Sequence, residues 1–558
     1  MAQAPDFDVL VVGAGAAGMT AALSASSRGL SVLLVESTSQ VGGTSATSAG
    51  TLWIPCASPQ DADDNCRGTA RAYLEASIGP GANSAKIEAL LESAPELLRF
   101  LREETAVRLD PVARHPDYLQ ALPGATLGGR AFAPSMFDGR RLGRDFARVR
   151  PPLPEFMVLG GMMVAKADIP ILLNAMREPR AFLGAAQLVA RYARDRLTRP
   201  RGTRLVMGNA LVAQLFSSLL HSNVKIAFDT RVARMARTAS GFDCAMAGTQ
   251  GEQRVRIGKA VVLATGGFSG NIAMRQRWLP ALARDHSVAH AGDAGGGIDL
   301  GLSLGGTVED DHVSPAFWMP VSTMKRADAS VATFPHIMLD RAKPGLLAVD
   351  ATGNRFANEA DAYHHFCEGM LESNRRTGST RFFLIADAAF VSSYGIGMVR
   401  PGLKSLRRFV QAGYLTQADS PAQLAERLHL EAGALERTLV RYNELAARGV
   451  DLDFHRGESA LNRHNGDPLH GPNPCMRVLD TRSLHAVEIH VADLGTSVGL
   501  RADEDARVLD AGGQPVPGLY ACGNDMASMM RGAYPGPGTT LGPGMTFAWR
   551  AARHIANR

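Results

Sequence analysis

Residues 7–36 read FDVLVVGAGAAGMTAALSASSRGLSVLLVE, and this stretch decides the fold. Asp8–Val12 carries a β-branched apolar run, the pattern of a buried strand. GAGAAG follows without a gap, Met19–Ser27 has a helical pattern, and Ser31–Val35 predicts a second strand after the turn at Arg28–Gly29. This is a βαβ unit of about 30 residues that carries G-x-G-x-x-G in the context that gives it meaning. Gly13 permits the tight turn, Gly15 lets the backbone approach a pyrophosphate, and Gly18 lets helix and strand pack closely. Ala16 and Ala17 open the helix, whose first amides and partial positive charge suit phosphates. Glu36 is placed to accept hydrogen bonds from ribose hydroxyls and repels a 2′-phosphate, which disfavours NADP. FAD and NAD both fit this much of the chain.

The next residues, Gly42-Gly43-Thr44-Ser45-Ala46-Thr47-Ser48-Ala49-Gly50-Thr51, are too small to pack a core and suit an extended ligand laid along backbone and hydroxyls. Here the chain resembles the flavoprotein family that contains the fumarate reductases and the 3-ketosteroid dehydrogenases. The resemblance implies FAD, with Gly43, Thr44, Ser45, Ala49, Gly50 and Thr51 along it. Membrane-bound succinate dehydrogenases carry a histidine in this segment, bonded covalently to the flavin. None lies between Glu36 and Thr51, so noncovalent FAD is expected.

Two later segments match the same family. Lys259–Phe268, KAVVLATGGF, reads as a buried strand running into Thr265-Gly266-Gly267. Gly518–Asn524 is another strand that ends at Gly523 and Asn524, and TLGPGMTFAWRAARHIA follows as a helix with an apolar stripe. Its N-terminus, at Thr540 and Leu541, would face the flavin pyrimidine edge. To these the resemblance adds Val232.

The expected fold class is therefore α/β: a discontinuous Rossmann-like FAD-binding domain with an inserted α+β catalytic or capping domain. The expected boundaries are 1–325 and 496–558 for the first and 326–495 for the second. A further insertion is expected at about 120–205. Within it, Arg177, Arg180, Arg191, Arg194, Arg196, Arg199, Arg201 and Arg204 stand against Glu178 and Asp195, interleaved with Phe182, Leu183, Leu188, Val189 and Tyr192. A solvated helix with one buried face and a peripheral contact with anionic lipid both fit this pattern.

Three of the nine tyrosines carry the chemistry. Tyr534 sits in AYPGPGTTLGP, residues 533–543, where Pro and Gly forbid a long helix or strand and a rigid loop results. In the 3-ketosteroid Δ1-dehydrogenases a Y-P-G-x-G loop holds the steroid 3-keto oxygen, which implies Tyr534 OH and Gly538 N–H here. Two fixed donors form an oxyanion hole, because enolisation moves negative charge onto that oxygen. Tyr363 follows GNRFANE, residues 353–359, a block similar to the family's G-x-R-F-x-N-E. Soluble fumarate reductases place an arginine a few residues past that glutamate. This chain has Tyr363, whose neutral phenol suits a ketosteroid better than a dicarboxylate. By resemblance Tyr363 is the base that takes the C2 proton, and Tyr118 is the hydroxyl that supports it.

The expected activity is 1,2-dehydrogenation of a small apolar 3-ketosteroid, with electrons passed to an external acceptor. A Δ4-(5α)-dehydrogenase, or an enoate or fumarate reductase, is the alternative within the fold. A flavin-carrying partner protein is the alternative outside enzymes. The 558 residues hold 59 Lys+Arg against 54 Asp+Glu, a surplus of 5, which is no nucleic-acid footprint over this length. The six cysteines form no CxxC and read as reduced thiols, and the N-terminus reads as lacking a signal peptide. No metal-ligand spacing appears among the histidines. A cytoplasmic protein with membrane association left open is expected.

Overall fold

The computed structural model describes residues 5–59, 65–165, 167–175, 178–249, 251–326, 328–337 and 340–558. Arg177, named above, lies outside the described residues.

The strand Phe7–Val12 pairs in parallel with Val32–Val35 on one side and with Gly251–Leu263 on the other. Lys225–Ala227 extends this sheet beyond Val32–Val35, and Pro515–Ala521 adds to the far side of Gly251–Leu263. Val9, Leu10, Val11, Leu34, Val261 and Leu263 are fully buried, as strands covered on both faces must be. The helix Ala16–Ser26 packs against Leu541–Ala556, so the first and last elements of the domain close one layer together. An antiparallel pair, Thr230–Thr238 and Gly241–Gly248, hangs on the first half of Gly251–Leu263. Thus residues from three separated stretches of chain share a single sheet.

A second, antiparallel sheet runs in the order Val331–Pro335, Ala316–Lys325, Leu484–Thr496, Phe382–Asp387, Leu346–Asp350. It takes in the whole strand Ala316–Lys325, which sequence reasoning had left with the other domain. The helices Pro421–Leu428 and Ala432–Arg448 bury Leu424, Leu428, Leu435 and Leu439 against its outer end.

Between them, the strand Ala131–Pro134 pairs with Leu52–Trp53 and Leu109–Pro111, so the expected 120–205 insertion begins inside the domain framework. Further on, the helix Pro179–Arg196 buries Ala181, Ala185 and Tyr192. Tyr192 OH donates to the carbonyl of Leu159 at 2.8 Å, tying the helix to the turn between Met157–Val158 and Met162–Met163. Among the described residues no helix is long and apolar enough to cross a membrane, and no His/Cys/Asp/Glu group could hold a metal ion.

One expectation is corrected. Cys56 and Cys66 form a disulfide with their Cα atoms 5.5 Å apart, because the exit of Leu52–Trp53 turns back against the start of the helix Cys66–Ile78. Scattered spacing hid a pair ten residues apart that the fold brings together. Cys244, Cys367, Cys475 and Cys522 are free and buried.

Candidate active site

The G-x-G-x-x-G loop separates three glycines by cause. A Cβ on Gly13 would overlap the carbonyl oxygen of Ala264, and one on Gly18 would overlap that of Gly13. These two are glycine because the protein leaves no room. A Cβ on Gly15 would meet nothing closer than Ser45 Oγ at 3.9 Å, and its φ of −73° suits any residue. What Gly15 must admit is therefore a ligand. Beside it, among the described residues, the amides of Ala17 and Gly18 make no bond, as expected for an open helix N-terminus, while Ala16 N–H donates to Ser45 Oγ at 3.2 Å. The loop is a cradle of the kind a pyrophosphate fills.

Glu36 is buried at the rim, accepting from Ala14 N–H and from Thr38 N–H and Oγ1–H. Thr230 N–H donates to the Glu36 carbonyl at 3.0 Å, which brings the strand carrying Val232 to the same end. The run of small residues serves two masters. A Cβ on Gly42 would crowd Val212, and one on Gly50 would crowd the backbone of Gly208, so these face the helix Met207–Leu220 rather than a ligand. Gly43, with a positive φ of 46°, faces Asp293 Oδ1, which a Cβ would meet at an uncrowded 3.9 Å. Ala49 is exposed and Thr51 half-buried, its carbonyl against Gly538.

The two later motifs meet this cradle. A Cβ on Gly523 would lie 3.3 Å from Ala17, and one on Gly544 would lie 3.3 Å from Gly523, so the third motif and the last helix converge on the first. Thr265 and Gly267 donate their amides to Asp525, and Gly266 packs on Asp293. These groups are held by carboxylates, not left open for a ligand. Thr496 Oγ1, over Gly267 and Asn524, is buried with no hydrogen-bond partner. An orphaned hydroxyl beside the cradle is what a bound flavin would satisfy. A cavity lined by Phe317, Asn524, Met526, Thr540, Gly544 and Phe547 lies over the N-terminus of the helix Leu541–Ala556, which no side chain caps. The residues present therefore fit FAD.

Sequence reasoning missed part of this end. Asp293, which it left as structural, accepts from Thr44 Oγ1 at 2.6 Å, and burial pushes its carboxyl up to about 8. Burial likewise pushes Asp525 up to about 6. Arg150 reaches in from the 120–205 segment, donates to Thr38 Oγ1, and feels the charges of Glu36 and Asp293. No motif announces Arg150, because a lone arginine in an irregular segment has no spacing to read.

The three tyrosines gather on the other side of Phe317. Tyr363 OH donates to Tyr534 OH at 2.9 Å. The Tyr118 ring stacks on Tyr534 at 5.8 Å and meets Tyr363 edge-on at 5.9 Å. Phe317 packs edge-on against Tyr534 at 5.4 Å. Burial raises the phenol pKa of all three, and mutual repulsion adds to it for each. A hydrogen bond with Tyr363 works the other way for Tyr118, and one with Tyr534 does so for Tyr363.

Each tyrosine is positioned by a different device. Tyr534 stands in a loop whose Gly538 has φ +91° and admits no Cβ beside the Thr51 carbonyl. The Gly538 carbonyl accepts from Trp53 N–H and Gly542 N–H, and its own N–H makes no bond among the described residues. Tyr118 N–H donates to the Pro535 carbonyl at 2.7 Å, fixing one tyrosine's backbone to the loop of another. Tyr363 opens the helix Tyr363–Thr377. The block before it is scaffolding: Arg355 pairs with both Glu359 and Asp451, Arg456 pairs with Glu359, and Glu359 also accepts from Ala348 N–H. His364 Nδ1 accepts from Trp318 N–H while its ring stacks on Tyr534 at 5.4 Å.

Around Tyr363 the walls are apolar: Met319, Val321, Val288, Ile337, Ala492 and Leu494. Two hydrogen-bonded phenols in an apolar-walled site, next to the cavity over the helix Leu541–Ala556, can bind a ketone, stabilise its enolate and take a proton.

A family model described as an FAD binding domain matches residues 8–541. The chain is 35% identical, over 98% of its length and 93% of the relative's, to 4-oxocyclohex-2-ene-1-carboxylate 5-dehydrogenase of Sinomonas cyclohexanicum. It is 34% identical to 3-oxosteroid 1-dehydrogenase of Mycobacterium tuberculosis, with 99% of each chain covered. Among solved structures, 3-ketosteroid Δ1-dehydrogenase of Sterolibacterium denitrificans, in complex with 1,4-androstadiene-3,17-dione, matches with a TM-score of 0.90 at 33% identity over 99% of both chains.

Proposed function

The chain belongs to the FAD-binding domain family whose model spans residues 8–541, and from that premise we propose that it is a 3-ketosteroid Δ1-dehydrogenase. The observation that carries this reading is the Tyr363–Tyr534 hydrogen bond of 2.9 Å, with Gly538 in the same loop as Tyr534.

The ketone oxygen of a 3-keto-4-ene steroid sits between Tyr534 OH and Gly538 N–H. As charge moves onto that oxygen these donors hold it more tightly than in the ground state, and one such donor is worth ~3 kcal/mol. Tyr363 takes the proton from C2. Tyr118, stacked on Tyr534 and edge-on to Tyr363, fixes both rings and excludes water. When bound, FAD supplies the acceptor for the hydride that leaves C1, and an external acceptor takes the electrons onward. The uncrowded Gly15 and the absence of histidine between Glu36 and Thr51 support noncovalent FAD.

A second reading has support from the Sinomonas relative, whose name describes a smaller oxo ring bearing a carboxylate. The same tyrosines serve that chemistry. The apolar wall of Met319, Val321, Val288, Ile337, Ala492 and Leu494 offers no cation to a carboxylate and favours the steroid.

We also infer a peripheral contact with anionic lipid through the helix Pro179–Arg196. That helix exposes Phe182 (56%) and Leu183 (61%) near Arg180, and exposes Arg194 and Arg196 about three to four turns further on, a basic and apolar helix suited to a lipid surface. Sedimentation with anionic vesicles, lost in Phe182→Ser with Leu183→Ser, tests it.

The activity is tested by anaerobic titration of the flavin-loaded protein with a 3-keto-4-ene steroid and with 4-oxocyclohex-2-ene-1-carboxylate. Bleaching of the flavin with a steroid 1,4-diene as product supports the first reading. Bleaching by the carboxylate alone favours the second, and bleaching by neither overturns both.

A further inference from the structure

We propose that Arg341 is a positioning residue for Tyr363: a water-free guanidinium fixed beneath the first turn of the helix Tyr363–Thr377 that stabilises the phenolate formed when the base is ready to take the substrate proton. The proposal rests on the reading of Tyr363 as that base.

Arg341 is buried and its side chain bonds only to carbonyl oxygens. Nε donates to His336 O at 2.8 Å, Nη1 to Glu359 O at 2.9 Å, and Nη2 to Ile337 O and Asp361 O, both at 3.2 Å. Glu359 and Asp361 are the approach to Tyr363, and Ile337 is part of its apolar wall. The guanidinium also lies 4.6 Å from the centre of the Phe366 ring. Tyr363, Phe366 and Cys367 share one helix face by their i, i+3, i+4 spacing, and Arg341 lies under that face, over the Phe366 ring. Its charge acts on both Tyr118 and Tyr363 in the direction that favours the phenolate.

Four other buried arginines have a carboxylate partner: Arg130 has Asp117, Arg275 has Asp493, Arg355 has Glu359 and Asp451, and Arg456 has Glu359, whereas Arg201 bonds to Asn209 and the Val149 carbonyl. Arg341 has none among the described residues. The carboxylate next in sequence, Asp340, is engaged by His336 Nδ1, by Gly397 N–H and by the backbone amide of Arg341. Arg341 feels the charges of Asp340 and Asp361 without a direct ion pair to either, and a buried cation with no directly bonded carboxylate is expensive to keep. An anion formed during turnover on the neighbouring phenol adds to that compensation. The open N-terminus of the helix, which starts at Tyr363 and has no side-chain cap, adds to the same field.

The other titratable and charged groups near Tyr363 can be named. Tyr118 and Tyr534 face it ring to ring, and His115 lies behind Tyr118 at 6.1 Å. His364 is next on its helix and is engaged by Trp318 N–H. Asp361 accepts from Asn462, and burial raises its carboxyl. Glu359 is neutralised by Arg355 and Arg456. The strands and loop opposite contribute Met319, Val321, Ala492, Leu494, Val288 and Ile337, none of them charged.

The test is the pH dependence of flavin reduction by a 3-keto-4-ene steroid in anaerobic rapid mixing, with Arg341→Met, Arg341→Lys and Tyr363→Phe holoenzymes. In Arg341→Met the midpoint of the rising alkaline limb is expected to move up by about one unit, so the rate falls about tenfold below the midpoint and recovers as pH rises. Arg341→Lys, which keeps the charge, is expected to stay within a few-fold of the parent at every pH. A loss that is uniform across pH with an unmoved midpoint overturns the proposal and makes Arg341 a carbonyl clamp. If Arg341→Met does not hold flavin, a uniform loss in Arg341→Lys is the overturning result. Tyr363→Phe separates the two levels: near-parental reduction there sinks the base assignment itself, whatever Arg341 does.

Discussion

Tyr73 OH donates to the Pro535 carbonyl at 2.5 Å and accepts from Leu119 N–H at 3.1 Å, so one buried phenol spans the loop of Tyr534 and the segment of Tyr118. The helix Cys66–Ile78 carries it, so this helix ties the backbone of both tyrosine segments. Tyr73→Phe removes one buried bond on each side. It is expected to cost about 1–2 kcal/mol of stability and to slow flavin reduction several-fold with steroid affinity little changed. Thermal unfolding and single-turnover kinetics on the same preparation check both numbers. An unchanged rate would show that Pro535 is held by Tyr118 N–H alone.

Gly15 and Gly18 predict opposite phenotypes from the same substitution. Gly18→Ala drives a methyl into the Gly13 carbonyl and is expected to cost about 3 kcal/mol or more, or to prevent folding. Gly15→Ala meets open space, so the protein is expected to fold with near-parental stability and to bind FAD more than tenfold more weakly. Flavin content after dialysis, read beside the unfolding midpoint of the flavin-free protein, decides it.

Asp117 is buried against Arg130 at 2.8 Å and also accepts from Trp53 Nε1–H at 3.0 Å. Trp53 N–H in turn donates to Gly538 O. Asp117→Ala removes the acceptor of Arg130, Trp53 Nε1–H and Thr126 together and is expected to destabilise by about 3–5 kcal/mol. Urea unfolding of the variant checks the magnitude. A loss under 1 kcal/mol would mean that water or another acceptor replaces the carboxylate.

The flavin-free protein carries a pH dependence whose sign follows from Asp293. Its folded pKa is raised to about 8 by burial from an ordinary carboxylate value near 4. Below the ordinary value both states are protonated and nothing is lost. As pH rises toward 8 the unfolded chain ionises freely while the folded site resists, so stability falls through that window. Asp293→Asn is expected to flatten the fall between pH 5 and 8. Parallel curves for parent and variant, measured by thermal unfolding without flavin, would contradict the assignment.

Much of this was legible in the sequence because it is local. The βαβ unit announced itself by strand, glycines, helix and acidic residue within 30 positions, and the family it belongs to is evident in three such segments. Tyr534 and Tyr363 could be picked out because each sits in or after a loop whose Pro, Gly or charged residues have a fixed spacing. What stayed hidden is what the fold assembles from afar. Arg150, Asp525 and Tyr73 have ordinary neighbours in sequence and acquire meaning only through Thr38, Thr265 and Pro535. The Cys56–Cys66 bridge was misread because its spacing matches no framework pattern. The small-residue run 42–51 was read as wholly for a ligand, whereas Gly42 and Gly50 are small for the helix Met207–Leu220. Composition reports that a residue is small, not which neighbour requires it.

The most direct test is flavin reduction by a 3-keto-4-ene steroid, mixed anaerobically with parent and Tyr363→Phe proteins carrying equal flavin. The parent is expected to bleach and to yield the 1,4-diene. Tyr363→Phe is expected to bind the steroid with similar affinity and to bleach ~10²–10⁴-fold more slowly, the contribution of a positioned general base. Bleaching of the variant within tenfold of the parent would contradict the account.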